Sequence, residues 1–142
     1  MVSFVDPPGT LSYEQLDPLD TANALARGCV VSSEQPSARL YVAGGYNNED
    51  SSNIVDDVLV YDINNNSWDT NIPSMTYARA HHGCMIVDDT LWAIAGWYLT
   101  SIETINITNI ASQSWQEVAD LPDPAVELRN FAVVAWNGYI YV

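Results

Sequence analysis

Apolar residues in this chain come in short runs separated by polar turns, and the runs return at a nearly constant interval. Leu40-Tyr41-Val42-Ala43-Gly44-Gly45 comes back as Leu91-Trp92-Ala93-Ile94-Ala95-Gly96, and Ile140-Tyr141-Val142 begins a third copy. Short runs rich in β-branched and aromatic residues and closed by glycine predict strands. A spacing of about 50 residues predicts that one supersecondary unit is being repeated.

Superposing the copies predicts four strands per unit, A to D in chain order. Strand A is expected at Gly28-Cys29-Val30-Val31, at Gly83 to Val87 and at Phe131 to Ala135. Turns follow at Ser32 to Ala38, Asp88-Asp89-Thr90 and Asn137-Gly138, the last a strong hairpin signal. Strand B is the apolar run ending at the glycines, continuous enough to be covered on both faces. Polar loops follow, Tyr46 to Asp56 in one unit and a shorter Trp97 to Ser101 in the next. Strand C is expected at Val58 to Tyr61 and, by position, at Ile105 to Thr108. Turns of Asp, Asn and Ser then lead to strand D at Trp68 and Trp115. Both tryptophans stand seven residues after the Tyr61 or Thr108 position, as anchors for an outermost strand packed on its neighbour. Tyr13 to Leu19 reads as one more outer strand ahead of the first unit.

The composition is strongly acidic, with 18 Asp and Glu against 4 Lys and Arg and a net charge of −14. Such a chain lacks the basic face that phosphate neutralisation requires, which argues against nucleic acid or anionic membrane as a partner. No apolar run is long enough to span a bilayer and no secretory leader is evident, so a cytoplasmic location is expected. The triplets at Asn65 and Asn106 match the glycosylation pattern, which chance supplies readily in an Asn-rich chain. The 2 cysteines, Cys29 and Cys84, fall at positions taken as equivalent in adjacent units, where they are expected to be small buried hydrophobes, too far apart for a disulfide.

The glycines after an apolar strand (Gly44 and Gly45, with Gly96 in the second unit), Tyr61-Asp62 followed by Trp68, the Met75 to Arg79 segment, and Trp115 followed by Leu128-Arg129 together resemble the kelch family of β-propellers. The likeness covers residues 13 to 142. It departs from the pattern at Ala95-Gly96, at Thr108-Asn109 and at Asn23. The resemblance implies an all-β fold: an incomplete kelch-type propeller with two full four-stranded blades, an outer strand before them and two inner strands after. Residues 1–12 are an N-terminal extension, the blade units are about 27–74 and 79–121, and a third blade starts at 129–142. An arc of this size leaves apolar faces and strand edges open at both ends, so self-association or marginal folding is expected of the isolated chain, as a fragment of a longer protein or as a copy within a ring.

Candidate chemistry is sparse. His81-His82 cannot readily share one metal, because neighbours on a strand point to opposite faces. Nothing suggests a catalytic triad, a phosphate loop or a calcium loop, and no metal or cofactor is expected. The arginines carry more. Arg27, Arg79 and Arg129 fall near the loop leading into strand A of successive units, where three cations could converge on an acidic peptide. The competing reading is that each arginine ties one blade to the next. By resemblance to kelch adaptors, the positions just after this arginine line a substrate face, which here adds His81 and Phe131. The expected function is a non-enzymatic protein-interaction module whose partner is a protein or peptide. The alternative is part of a propeller enzyme, such as a kelch-like oxidase or sugar-processing enzyme, with catalytic residues elsewhere.

Overall fold

The computed structural model describes residues 2–4, 11–13 and 27–30 as backbone strands, and residues 38–47, 53–122 and 128–142 with their side chains. The strands are β1 (Val2–Phe4), β2 (Leu11–Tyr13), β3 (Arg27–Val30), β4 (Arg39–Ala43), β5 (Val58–Asp62), β6 (Ser67–Asp69), β7 (Gly83–Val87), β8 (Thr90–Gly96), β9 (Leu99–Asn106), β10 (Gln116–Asp120), β11 (Val134–Trp136) and β12 (Tyr139–Tyr141). All pairings are antiparallel. Two four-stranded sheets, β3-β4-β5-β6 and β7-β8-β9-β10, follow chain order from strand A to strand D, and β1-β2 and β11-β12 are two-stranded sheets. The protein is thus an all-β partial propeller with two complete blades, and the described residues contain no α-helix. No described helix is long and apolar enough to cross a membrane. Beyond Tyr13, the outer strand expected at 13–19 lies outside the described residues.

The blades stack through apolar faces set by register. In the first blade Tyr41 lies opposite Val60 and Ala43 opposite Val58, so these four share the forward face. In the second blade Leu91 lies opposite Ile105 and Ile86, and Ala93 opposite Cys84, which defines the rear face. The two faces form one buried cluster, closed on its outer side by Met75, Ile110 and Trp115. Each large apolar side chain taken out of water there contributes about 1.5–3 kcal/mol. Trp115 also donates its indole N–H to the Pro73 carbonyl at 2.9 Å, which fastens the outer edge of the second blade to the segment arriving from the first.

Three details differ from the sequence expectation. Trp97 and Tyr98 form a two-residue turn instead of opening a five-residue loop, and β9 starts at Leu99. The register of β8 on β9 breaks between Ile94 and Gly96, where Ala95 takes φ 52°; this irregularity redirects the strand and lets it turn back at once. Ile105, not Thr108, lies opposite Leu91 and so stands where Tyr61 stands; the longer route to Trp115 holds a 3-10 turn, Ile110–Ser112. The third strand A begins at Val134, three residues later than expected.

The cysteines are the clearest correction. Cys84 is disulfide-bonded, against the expectation of a reduced, small buried hydrophobe. Cys29 lies opposite Tyr41, whereas Cys84 lies opposite Ala93, the counterpart of Val42. The two positions are therefore one residue out of step, and a one-residue step reverses the face of a strand. Cys29 falls on the strand position of the forward face and Cys84 on the rear face that meets it, with β3 alongside β7.

Candidate functional site

Among the described residues, the segment leading into the second blade carries the densest polar contacts, and its first part is internal. Arg79 and Glu103 are both fully buried and joined at 2.9 Å. Nε and Nη2 of Arg79 both donate to Glu103 Oε2, Nη1 donates to the carbonyls of Ala95 (2.7 Å) and Ser101 (2.8 Å), and Nη2 reaches Ser101 Oγ. The second carboxylate edge is occupied too: Thr76 N–H donates to Glu103 Oε1 at 2.9 Å and Tyr77 N–H to Oε2 at 3.3 Å. Burial lowers the pKa of Arg79 from its ordinary value, and the hydrogen bonds and charge of Glu103 oppose that shift. With its donors committed inside the second blade, Arg79 is a structural strap and offers nothing to a ligand. Its side-chain partners all belong to the second blade, so the side chain ties that blade together rather than one blade to the next.

Backbone contacts extend the strap. Gly45 N–H donates to the Arg79 carbonyl at 2.7 Å and Arg79 N–H to the Val55 carbonyl at 3.1 Å. Gly44 is essential to this fit: its φ is +60°, and a Cβ there would lie 2.3 Å from the Arg79 carbonyl oxygen. Tyr61 is buried with its ring 5.0 Å from that of the half-buried Trp68, and its hydroxyl bonds Asn66.

At the same end of the blades, a second group of side chains gathers, buried at Tyr46 and opening to the surface at Tyr98 and Arg129. Tyr46 (first blade) and His81 and Trp97 (second blade) meet edge to face, with ring centroids 5.9 Å (Tyr46–His81), 6.3 Å (Tyr46–Trp97) and 5.8 Å (His81–Trp97) apart. Tyr98 stacks on Trp97 at 5.4 Å and is 73% exposed. The guanidinium carbon of Arg129, from the segment entering the third blade, lies 5.4 Å from the Trp97 ring centre. His81 Nδ1 is 2.9 Å from Asn130 Oδ1, and Asn130 N–H donates to the His81 carbonyl at 3.2 Å, which joins the second and third lead-in segments. Burial pushes the Tyr46 hydroxyl above the usual phenol value, against the pull of Arg129, so it stays a neutral donor. Tyr46 Oη and Trp97 Nε1 are buried without a hydrogen-bond partner among the described residues.

The sequence candidates therefore separate. Arg129 and His81 belong to the surface cluster. Arg27 lies in β3 opposite Ala43, a strand position that corresponds to Gly83 rather than to Arg79 or Arg129. Phe131 packs on Gly83, whose absent Cβ would come within 2.8 Å of its ring, and it fills the seam between second and third blades. Of the paired histidines, His82 is fully buried while His81 reaches the surface group. Tyr46, Trp97, Tyr98 and Glu103 were missed in the sequence. A signal existed for two of them: Tyr46 and Trp97 each directly follow the last glycine of strand B. Among the described residues no three His, Cys, Asp or Glu side chains gather as a metal site would require.

Comparison with known proteins agrees with the fold. A Kelch motif model matches residues 39–76. The chain is 31% identical over 106 residues to Kelch repeat and BTB domain-containing protein 2 of Cowpox virus (strain GRI-90 / Grishak), which covers 72% of this chain and 18% of that protein. It is 28% identical over 106 residues to Kelch repeat and BTB domain-containing protein 1 of Ectromelia virus (strain Moscow), again 72% of this chain and 18% of the relative. Alpha-scruin of Limulus polyphemus is 27% identical over 112 residues, covering 72% of this chain and 11% of that protein. The chain thus spans less than a fifth of the length of these relatives.

Proposed function

From the premise that this chain belongs to the kelch-repeat family, we propose that it is a non-enzymatic protein-interaction module that binds a peptide segment at the loop end of its blades. One observation carries this reading: Tyr98, exposed and stacked on Trp97, forms a shelf beside the Arg129 guanidinium, at a place where three successive blades meet. Amphipathic rings give large contact area at low entropic cost, and a guanidinium supplies planar donors for a carboxylate. A partner strand carrying Asp or Glu next to an apolar or aromatic side chain would satisfy both. With Arg79 internal, the acidic preference rests on Arg129 and on His81 beside it.

Selection of displayed random peptides on the 142-residue chain tests this. Enriched sequences should combine a carboxylate with an adjacent apolar residue. Tyr98→Ala and Arg129→Ala should each weaken their binding by roughly 5- to 100-fold, the range of about 1–3 kcal/mol for a central aromatic or charged contact. Enriched peptides that bind both variants as well as the parent would overturn the assignment.

A further inference from the structure

The triplets Asn65-Asn66-Ser67 and Asn106-Ile107-Thr108 fit the pattern of a glycosylated asparagine, and the strand registers put them at matching places in successive blades. Asp62 closes β5 opposite Arg39, and Asn106 closes β9 opposite Thr90. The first triplet thus lies in the turn after strand C of the first blade, and the second opens the turn after strand C of the second blade. Strand C runs antiparallel to strand B, away from Gly44 and Gly96. Both triplets therefore lie at the opposite end of the blades from Tyr46, Trp97 and Tyr98.

The side chains of both triplets are open to water. Asn65, Ser67, Asn106 and Thr108 are all exposed. Asn65 Nδ2 donates once, to Asp62 Oδ2 at 3.0 Å, which leaves its second hydrogen uncommitted. Asn106 accepts the Thr108 N–H on Oδ1 at 2.8 Å, and its Nδ2 makes no hydrogen bond among the described residues. An attached sugar chain is bulky and hydrophilic, so it is tolerated where the asparagine amide faces solvent in this way. Cys84 supplies an independent observation, since it is disulfide-bonded. Disulfides persist in the secretory lumen and outside the cell and are rare in the cytosol, and secreted chains are the ones whose surface Asn-X-Ser/Thr triplets are glycosylated.

We propose that this chain passes through an oxidising secretory compartment and carries N-linked oligosaccharides on Asn65 and Asn106, in place of the cytoplasmic location expected from the sequence. The donor is an oligosaccharide carried on a lipid diphosphate. The bond from Nδ2 to the sugar C1 forms, the bond from C1 to the diphosphate oxygen breaks, Nδ2 gives up one of its two protons, and the lipid diphosphate leaves; nothing is oxidised or reduced. The proton that stays on Nδ2 lets Asn65 keep its bond to Asp62. Sugars at this end of the blades leave the shelf of Tyr98 and Arg129 uncovered.

Expression of the chain behind a secretory leader in animal cells tests this, with intact mass and peptide mapping after enzymatic release, which converts each glycosylated Asn to Asp. Both asparagines should be modified, and Cys84 should resist alkylation until the chain is reduced. Ser67→Ala and Thr108→Ala keep each asparagine and its hydrogen bond to Asp62 or to the backbone N–H at position 108, yet each should abolish one glycan, and the double variant should carry none. Material retained inside the cells is scored with the secreted material, so a variant that folds poorly still reports. A chain unmodified at Asn65 or at Asn106 overturns the proposal. So does a modified chain whose Cys84 is alkylated without reduction.

Discussion

The contrast between Arg79 and Arg129 turns on a single residue of offset. Counting from the sequence makes them a repeat pair, but the strand registers equate Val134 with Met85, which places Arg129 where Ala80 stands and Asn130 where His81 stands. His81 and Asn130 share the left-handed backbone, at φ 58° and 54°, as equivalents should. A one-residue displacement turns one guanidinium into the blade and the other onto the surface. Arg79→Ala should therefore leave Glu103 buried and unpaired, lowering unfolding free energy by about 3–5 kcal/mol in chemical denaturation. Arg129→Ala should stay within about 0.5 kcal/mol of the parent, as exposed substitutions usually do. Equal losses in the two variants would contradict the division. Sequence alone exposed the recurrence of arginine at this place; it could not expose the direction of each side chain, because that depends on where the third strand A begins.

Strands were the most legible elements, since each carries its own apolar run and turn. The hairpins at Asp88-Asp89 and Asn137-Gly138 fall where the turn residues put them. What the sequence concealed was the alignment between blades. The tryptophan spacing made Thr108 the partner of Tyr61, whereas pairing makes it Ile105, with the difference absorbed by the 3-10 turn before Trp115. The same kind of slip equated Cys29 with Cys84, and correcting it brings the two onto facing sheets. A bond joining the chain's 2 cysteines would close a long loop, for which restriction of the unfolded chain gives about 4 kcal/mol. It would persist where the surroundings are oxidising. Thiol counting of the denatured, unreduced chain should find no free thiol, and reduction should yield both and lower the melting temperature. Two free thiols before reduction would show that the blades are held by packing alone. Gly44 makes a further test at this scale: Gly44→Ala meets both a positive φ and the Arg79 carbonyl, so it should destabilise the seam, whereas Ala at the open Gly138 turn has only the φ penalty.

For the whole molecule, charge and apolar surface act in opposite directions on assembly. Two chains of net charge −14 repel each other at long range, so any self-association must come from short-range contacts, such as the exposed Val134, Trp136, Tyr139 and Tyr141. Repulsion is screened as salt rises, with the Debye length falling from about 30 Å at 0.01 M to about 8 Å at 0.15 M, while apolar burial is little affected or strengthened. The sign of the salt effect thus reports what holds the copies together. Raising sodium chloride from about 0.01 M to 0.15 M should tighten self-association, and mild acid should do the same as carboxylates lose charge. Sedimentation equilibrium at the two salt concentrations measures the change directly. Association that weakens with salt would mean that opposite charges, not apolar and aromatic side chains, join the copies.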